Sequence, residues 1–338
     1  MNVEPARNFE RPRLRTGETV ELALIRAPND AWAERIETML RHKGDPWNWQ
    51  NSELLRRESG VTATFFLLHR DGVPFSNIML VEKAGAGILG HVWTSPADRR
   101  AGASTILMEV LLEDFRRRGG RALVLGTDFD RAPWHYYRSH GFEPVEPESG
   151  YMALYPDSRD AFERAWFNAT EAVVEPLDWP HWPAAAPLFV GDFEGVVKIA
   201  AAGLIGRRSS EEPLLPLIHE ERHQREVGGP GCARVLRDAS GSAVLGLACQ
   251  RGHALWPDTT VVDVYCHPRW WHRVAELLAE LPAAAPGARL VAYADSKHAA
   301  KCAVLQQAGF VETSRLPRWV KAAAKGDARV DVTVFVRS

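Results

Sequence analysis

Hydrophobic and polar positions along this chain follow two periods, which succeed each other in a regular order. Apolar residues at alternate positions predict strands, and apolar residues at three- and four-residue spacing predict amphipathic helices. Asp71-Gly72 lies between two strand-like runs and predicts a hairpin, and Gly119-Gly120 is placed to end a long helix. In the first half the predicted strands cover residues 20–28, 62–70, 73–85, 87–96, 121–128 and 142–155, and the predicted helices cover 30–40, 51–59, 102–120 and 132–141.

The second half repeats this order of elements. The predictions there are a hairpin over residues 233–252, strands over 260–268, 288–295 and 330–337, and helices over 273–282 and 299–310. Pro96, which ends a strand, precedes Gly141 of a Gly-Phe pair by 45 positions, and Pro268 precedes Gly309 by 41. Matching order and similar spacing predict duplication of one fold. We expect domains at residues 1–155 and 176–338, joined by a linker at 156–175.

Composition indicates a globular protein without a bias toward nucleic acid. Of the 338 residues, 46% are hydrophobic and 25% are charged, and the net charge is −2. No apolar run approaches the roughly 20 residues of a membrane span, so we expect neither a nucleic-acid nor a membrane partner. The first residues lack the apolar core of a secretory signal. The four cysteines form no CxxC pair, and we expect reduced thiols and a cytoplasmic location.

One stretch matches a metal-site pattern. Residues 219–223 read H-E-E-R-H, and H-E-x-x-H on a helix places two imidazoles on one face beside a glutamate base. The sequence that follows soon reaches Gly-Gly-Pro-Gly, and no third ligand stands out downstream. We expect a charged, solvated helix end without metal. A zinc hydrolase built on His219 and His223 is the alternative.

The stretch Ser95–Thr105 places cations and small residues just before a predicted helix. The first N–H groups of a helix have no partner inside it, and the helix dipole makes that end partly positive. Small residues let a phosphate approach these groups, and arginines add charge-assisted contacts. The pattern is that of a phosphate or pyrophosphate site, and a helix that merely begins on small residues is the alternative. The candidate residues are Arg99, Arg100, Ala101, Gly102, Ala103 and Ser104.

Two motifs give this sequence a resemblance to the GNAT acetyltransferase superfamily. The acetyl-CoA motif of that family, (Gln/Arg)-x-x-Gly-x-(Gly/Ala), is similar to Arg99, Gly102 and Ser104, with serine in the last small position. The second motif, Tyr-x-x-x-Gly-Phe, is matched from Tyr137 to Phe142. The motifs occur in the family's order with a predicted strand between them, and the resemblance covers roughly residues 18–155.

The resemblance implies a fold and a cofactor site. The expected fold class is α/β (α+β), with two tandem domains, each a mixed, mostly antiparallel sheet flanked by helices and splayed between two central strands. Acetyl-CoA, or another acyl-CoA, would enter the splay of the first domain with its pyrophosphate on residues 99–104. The backbone of Val92, Trp93 and Thr94 would hold the pantetheine arm. Tyr137 would protonate the departing thiolate, whereas Tyr136 is interpreted as structural.

The sequence gives weaker signals for the residue that deprotonates the amine and for the residues that bind the acceptor. His91 shares a strand face with Trp93 and is the candidate base, because the pKa of a free histidine lies near working pH; Glu82 and Asp128 are alternatives. Trp47 and Trp49 lie in a predicted loop, residues 44–53. Together with Trp93 they are candidates for an acceptor wall, or the two loop tryptophans pack against the second domain.

The second half departs from the motifs. Counted from Pro268, Trp271 stands at the arginine position, Val274 at the glycine position and Glu276 at the last small position. A β-branched residue blocks close backbone approach, and a carboxylate repels phosphate. Leu305 replaces the tyrosine, although Gly309-Phe310 is retained. We expect a degenerate domain that does not bind acyl-CoA in the family's manner.

These observations favour an acyl-CoA-dependent N-acyltransferase that uses its first domain. The acceptor would be a small-molecule or peptide amine, and the chain a monomer or homodimer. The alternatives are an acyl-CoA-binding regulator without turnover and a tandem acetyltransferase that resembles the thiol-cofactor synthases. We further expect the second domain to help form the acceptor pocket.

Overall fold

The computed structural model describes residues 11–284 and 287–337. By compactness the chain divides into two units, between Leu125 and Gly126. None of the described helices is long and apolar enough to cross a membrane, and the four cysteines are free thiols. Up to Gly126 the elements are β1 (Glu21–Arg26), α1 (Asp30–Leu40), α2 (Trp47–Arg56), β2 (Thr62–Arg70), β3 (Val73–Lys83), β4 (Ala86–Thr94), α3 (Ala103–Arg117) and β5 (Ala122–Gly126).

The unit that begins at Gly126 contains the remaining elements. They are α4 (Ala132–Ser139), β6 (Glu143–Pro144), β7 (Tyr151–Leu154), α5 (Arg159–Trp166), β8 (Ala172–Pro176), α6 (His181–Val190), β9 (Val197–Ile199), β10 (Leu204–Ile205), α7 (Leu215–Glu226), β11 (Ala233–Asp238), β12 (Val244–Gly252), β13 (Thr259–Cys266), α8 (Val274–Ala279), β14 (Arg289–Asp295), α9 (Ala299–Gln307), β15 (Val311–Lys321) and β16 (Arg329–Arg337).

Strands β1 to β4 form an antiparallel run whose turns follow from the sequence. The hairpin between β2 and β3 turns at Asp71 and Gly72, whose φ angles are 47° and 78°. This left-handed pair is the conformation that Asp-Gly adopts in two-residue hairpins. The predicted hairpin is therefore confirmed. Strand β3 is buried over most of its length, which explains its nearly continuous run of apolar residues.

Helix α3 contacts β2 and β3 through one apolar face. Leu107, Leu111 and Phe115 recur every fourth position and are fully buried, so they lie on the same side of the helix. Burial of each such side chain contributes about 1.5–3 kcal/mol. The helix ends before Gly119, which has a φ of 76° and donates its N–H to the carbonyl of Arg116 at 3.0 Å. This is the end that the Gly119-Gly120 pair predicts.

The two large sheets have the same strand order. The first is β1-β2-β3-β4-β5-β7-β6, and the second is β8-β11-β12-β13-β14-β16-β15. In each sheet the first four strands are antiparallel neighbours, and the pair that follows, β4–β5 or β13–β14, is parallel. The fold-class prediction is therefore confirmed: mixed, mostly antiparallel sheets flanked by helices occur in tandem.

The segment predicted as a linker, residues 156–175, consists largely of a helix and a strand. The hydroxyl of Ser158 accepts the N–H of Ala161 at 3.2 Å and caps α5. Phe162 and Trp166 on this helix are buried, with ring centroids 5.4 Å apart. Strand β8 pairs with β11 and forms the edge of the second sheet. The domain limits themselves stay a prediction.

Candidate functional site

Strand β4 carries a bulge in its pairing with β3. Asn77 pairs with Trp93 and Met79 pairs with Gly90, so two residues of β4 face a single residue of β3. His91 is one of the two, and its backbone is left-handed, with a φ of 51°. The carbonyl of His91 accepts a hydrogen bond from Asn77 Nδ2 at 2.8 Å. A bulge bends a strand and redirects its side chains, and Asn77 fixes this one.

Strands β4 and β5 separate after a short parallel stretch. Residues Ala86–Ile88 pair with Ala122–Val124, and within the described residues the two strands pair no further, although β4 continues to Thr94. Within the described residues, the backbone of residues 89–94 therefore has no strand partner on the side away from β3, although side chains donate to the carbonyls of His91, Trp93 and Thr94. This is the predicted splay. Three predicted pantetheine contacts, Val92, Trp93 and Thr94, lie on this stretch and are half-buried.

The connection from β4 to α3 contains two residues with left-handed backbones. Arg100 and Gly102 have left-handed backbones, with φ angles of 67° and 86°. The N–H groups of Gly102, Ala103 and Thr105 have no acceptor among the described residues. Left-handed residues in a turn direct N–H groups into a concavity, and the N-terminus of α3 adds its dipole. The role of this turn as a phosphate site stays a prediction.

The charges around this turn favour an anion. Arg99 and Arg100 are exposed, and Arg99 Nε donates to the carbonyl of Thr94 at 3.4 Å. The carboxylate of Asp98 accepts hydrogen bonds from Arg70 at 2.7 Å and from Ser95 at 2.5 Å. Arg70 holds the pKa of Asp98 below its usual value. The acid nearest the turn in sequence is therefore paired with a cation.

Tyr137 lies on α4 and is buried beside Phe142, with ring centroids 5.9 Å apart. Burial raises the pKa of its phenol, and the neighbouring Tyr136 and Glu211 raise it further. Within the described residues the phenol oxygen makes no hydrogen bond. Tyr137 is thus a protonated phenol whose proton is committed to no other group of the described chain, which is what a proton donor requires.

His91, the predicted base, is buried and hydrogen-bonded. Its Nε2 lies 2.8 Å from Gln50 Oε1, and its ring contacts that of Trp47 with centroids 5.4 Å apart. Burial lowers the pKa of His91 to about 3, so the imidazole is neutral at pH 7 and only weakly basic. The role of His91 as base stays a prediction. The alternative base Glu82 is buried and paired with Arg118.

Trp47 and Trp49 lie on helix α2, not in a loop as the sequence predicted. Pro46 stands at the N-cap, and α2 begins at Trp47. Asn48 Nδ2 donates to the carbonyl of Arg41 at 3.1 Å and secures the first turn. The prediction was wrong because a prolyl residue was taken as part of a loop, although proline is tolerated where a helix starts. Trp93 contacts His42, with ring centroids 5.3 Å apart.

Sequence reasoning did not identify the buried polar residues of α2. Gln50 links His91 to Met79 Sδ, which its Nε2 reaches at 3.4 Å. Asn51 is 1% exposed, and neither its amide nitrogen nor its amide oxygen has a partner in the described part of the chain. The sequence predicted this helix only from residue 51. A predicted helix that began at Trp47 would have placed Gln50 and Asn51 on its buried face, and buried polar side chains point to a site.

The corresponding turn of the second half lacks the concavity. Residues Pro268–Arg273 form a 3-10 helix, and no residue from 267 to 276, all of them described, has a left-handed backbone. Val274, at the glycine position, is fully buried. The carboxylate of Glu276 is paired with Arg273 at 2.6 Å. The left-handed backbone of Arg100 and Gly102 therefore has no counterpart among residues 267–276.

The splay of the second sheet holds a segment of the chain itself. Parallel pairing of β13 with β14 ends at Val261 and Val291. Beyond it, the Asp295 carboxylate of β14 accepts the N–H groups of Val196 and Val197 at 2.7 and 2.9 Å. The Asp263 carboxylate of β13 accepts the N–H of Ala200 at 2.5 Å. Residues 196–200 thus bind both separated strands.

The H-E-x-x-H pattern lies on α7, where its two histidines are exposed. Glu221 within it is buried and accepts the N–H groups of Cys232 and Ala233 at 2.7 and 2.5 Å, so it joins α7 to β11. Among residues 11–284 and 287–337 there is no group of three or more His, Cys, Asp or Glu that could hold a metal ion.

Comparison with known proteins gives one family match. Residues 29–142 match the family model described as acetyltransferase (GNAT) family, and no curated protein matches the chain.

Solved structures give weaker likenesses. An N-acetyltransferase from Staphylococcus aureus Mu50 is 15% identical, with 50% of this chain and 99% of that one covered and a TM-score of 0.36. PaiA N-acetyltransferase from Thermoplasma acidophilum, in complex with coenzyme A, is 12% identical, with 41% and 99% covered and a TM-score of 0.33. A GNAT acetyltransferase from Brucella melitensis, in complex with acetyl-CoA, is 18% identical, with 41% and 90% covered and a TM-score of 0.32.

Proposed function

Since residues 29–142 form a domain of the GNAT acetyltransferase family, we propose that the chain transfers an acetyl group from acetyl-CoA to a primary amine. The observation that carries the proposal is the turn before α3, where left-handed Arg100 and Gly102 leave N–H groups open beside exposed arginines. This geometry suits the pyrophosphate of CoA. Arg99 to Ser104 would form the pyrophosphate site.

The open edge of β4 would bind the rest of the cofactor. Pantetheine carries amide groups, and within the described residues β4 has no strand partner beyond Ile88 on the side away from β3, so its backbone beyond the bulge can offer donors and acceptors. Val92, Trp93 and Thr94 would make these contacts. An N–H of this stretch would also polarise the thioester carbonyl, because a donor fixed in a site of low water content stabilises charge that develops on oxygen.

Tyr137 would supply the proton for the leaving thiolate. Attack by a neutral amine forms the new C–N bond and breaks the C–S bond, and the electron pair moves to sulfur. The phenol donates its proton to that sulfur. The attacking nitrogen then loses a proton, which restores the phenol directly or through water. Burial keeps the phenol protonated at neutral pH by raising its pKa, which supports this role.

The second half would not bind acyl-CoA. Its turn carries buried Val274 and the ion-paired Glu276. The strands of its splay bind residues 196–200 of the chain. In the second sheet these contacts engage the part of β13 and β14 that is equivalent to the unpaired part of β4 and β5 in the first sheet. One acyl-CoA per chain is the consequence.

The test is the release of CoA thiol from acetyl-CoA in the presence of primary amines. The purified full chain is incubated with acetyl-CoA and, in turn, an amino acid, a polyamine, an aminoglycoside and a peptide with a free α-amine. We expect at least one class to raise thiol release above the amine-free rate, with the acetylated amine as product. Binding of acetyl-CoA without any amine-dependent release would contradict turnover and favour the regulator.

A pair of glycine variants tests the site in the same assay. Valine at Gly102 combines a left-handed backbone with a β-branched side chain, and its Cβ would lie 3.3 Å from Arg15 Cγ. We expect acetyl-CoA affinity to fall by about 10- to 100-fold, the loss of one or more hydrogen bonds to a charged group. Gly119→Val is the matched control, because Gly119 is also left-handed and no atom lies within 4 Å of its Cβ position. If Gly102→Val and Gly119→Val bind acetyl-CoA with equal affinity, the pyrophosphate does not bind at the turn before α3.

A further inference from the structure

We infer that Gln50 holds the ring of His91 in the tautomer that carries its proton on Nε2, so that Nδ1 accepts a hydrogen bond from the acceptor amine. The inference rests on the proposed acetyltransferase function and deepens it, because it names what faces the acceptor: an uncharged hydrogen-bond acceptor that orients a neutral amine. No proton passes to the ring in this arrangement. Gln50 is a positioning residue, since it acts only through His91.

The amide of Gln50 determines which ring nitrogen of His91 carries the proton. Gln50 is fully buried, its Nε2 lies 3.4 Å from Met79 Sδ, and its Oε1 lies 2.8 Å from His91 Nε2. A thioether sulfur has no proton to donate, so the reversed amide would leave a buried carbonyl oxygen against sulfur without a hydrogen bond. The observed orientation satisfies both ends of the amide. Because an amide oxygen only accepts, His91 Nε2 is the nitrogen that carries the proton.

Two further contacts fix the ring of His91. Asn77 Nδ2 donates to the carbonyl of His91 at 2.8 Å and holds the bulge of β4. Trp47 lies edge-on to the imidazole, with ring centroids 5.4 Å apart and an angle of 88° between the ring planes. A ring held at its backbone, at Nε2 and by a neighbouring indole has one orientation, which is what a group that positions a substrate requires.

Nδ1 is the remaining polar atom of this ring. Within the described residues it makes no hydrogen bond, and these residues do not fully enclose it. His91 also directly precedes Val92, the first of the backbone groups proposed to hold the pantetheine arm. An acceptor atom without a partner in the described chain therefore lies one residue from the stretch proposed to bind the thioester.

The charges around His91 favour a neutral ligand. Burial lowers the pKa of His91 to about 3, and proximity to Lys43 and to the protonated form of His42 lowers it further. The ring is therefore uncharged at neutral pH, whereas an ammonium ion would be repelled by the charge of Lys43. A neutral amine donates one N–H to Nδ1 and keeps its lone pair for the thioester carbonyl, and this fixed orientation is what attack requires.

The tautomer of His91 can be measured in the full chain without turnover. The probe is protein isotope-labelled at the histidine ring nitrogens and observed by NMR at neutral pH. The signals of His91 are identified by their absence from His91→Asn, because asparagine tolerates a left-handed backbone. We expect the wild-type ring to carry its proton on Nε2. Gln50→Met should populate both tautomers, because methionine fills a similar space without an amide oxygen. A wild-type ring protonated at Nδ1, or a single tautomer in Gln50→Met, overturns the inference.

Kinetics test the consequence for the amine that gives the highest wild-type rate in the panel. We expect Gln50→Met to lower kcat/KM for this amine by about 10- to 100-fold, the cost of misplacing a positioned group. The affinity for acetyl-CoA, measured by calorimetry, should stay at the wild-type value. Gln50→Glu restores an acceptor oxygen for Nε2 and should recover most of the rate at alkaline pH. Its carboxylate raises the pKa of His91, so this variant should show an additional loss toward acid pH, where the protonated ring no longer accepts a hydrogen bond.

Asn48→Ala is the control for a general effect on α2. Asn48 lies on the same helix, and its side chain donates to the carbonyl of Arg41 at 3.1 Å, so this variant should keep a kcat/KM close to wild type. Equal losses in Gln50→Met and Asn48→Ala would assign the effect to the stability of the helix and overturn the inference. An unchanged kcat/KM in Gln50→Met, with an active wild type, overturns the inference and leaves the proposed function intact. A wild-type chain that acetylates no amine contradicts the proposed function and, with it, the role of Nδ1 toward an amine.

Discussion

Replacement of Tyr137 by phenylalanine is expected to lower kcat by about 10²–10⁴-fold, the usual contribution of a general acid. The substitution removes only the phenol oxygen, which makes no hydrogen bond within the described residues. The ring itself is buried against Phe142, and phenylalanine preserves that contact. The fold and the affinity for acetyl-CoA should therefore stay close to wild type, so the loss is confined to turnover.

Steady-state thiol release and calorimetry together check this expectation. Tyr136→Phe is the matched control, because Tyr136 is the adjacent tyrosine of α4, at 5.4 Å between ring centroids, and has no proposed role in catalysis. A Tyr137→Phe variant that turns over as fast as wild type across the pH range would show that another group, or water, protonates the thiolate.

The second large effect concerns stability. Lys301→Met is expected to lower the free energy of unfolding by about 3–5 kcal/mol, the cost of leaving one charge of a buried ion pair uncompensated. Lys301 Nζ lies 2.5 Å from Asp263 Oδ1, and both side chains are fully buried. The ammonium group also donates to the carbonyls of Val197 and Lys198, each at 2.9 Å. Its removal leaves these carbonyls without this donor and the buried Asp263 carboxylate without its counter-charge, although the N–H groups of Val264 and Ala200 still donate to that carboxylate.

Urea unfolding followed by circular dichroism measures this loss. The control is the double variant Asp263→Asn with Lys301→Met, which removes both charges and should lose less stability than Lys301→Met alone. If the single variant is as stable as wild type, or the double variant is less stable than the single one, the pair does not hold residues 197–198 against α9. The glycine turn before α3 carries no part of this ion pair, so acetyl-CoA affinity should survive in any variant that remains folded.

Much of the fold could be predicted because its signals are local. Asp71-Gly72 specifies a two-residue hairpin, and Gly119 ends α3, since each occupies a left-handed position that glycine or aspartate tolerates. Strand β15 could not be predicted. It is exposed at most of its positions and contains Pro317, so it lacks the apolar alternation of a half-buried strand. Backbone pairing with β16 alone defines it.

Helix α6 and strand β9 could not be predicted because they are buried, whereas β15 is exposed. All residues of α6 are buried, so no polar face gives it a helical period. Lys198 on β9 is buried although lysine usually marks a surface. Its Nζ donates to the carbonyls of Phe189 and Gly191, at 2.7 and 3.3 Å, and these partners are visible only in three dimensions.

In the candidate site, too, some features follow from local sequence and others arise only from contacts in the folded chain. Arg99 and Gly102 belong to a motif in one stretch of chain, and α3 begins directly after them at Ala103, as the sequence predicts. Gln50 lies far from His91 in sequence, and only the folded chain brings its amide oxygen to 2.8 Å from His91 Nε2. Likewise, the low pKa of His91 results from burial under α2, which no property of the strand sequence indicates.

Titration of the full chain with acetyl-CoA in a calorimeter tests the central claim most directly. The claim is that the open turn and the splay of the first sheet bind acyl-CoA and that the second sheet does not. We predict one molecule bound per chain and a strong reduction of that binding in Gly102→Val. Two molecules per chain, or none, would contradict the account.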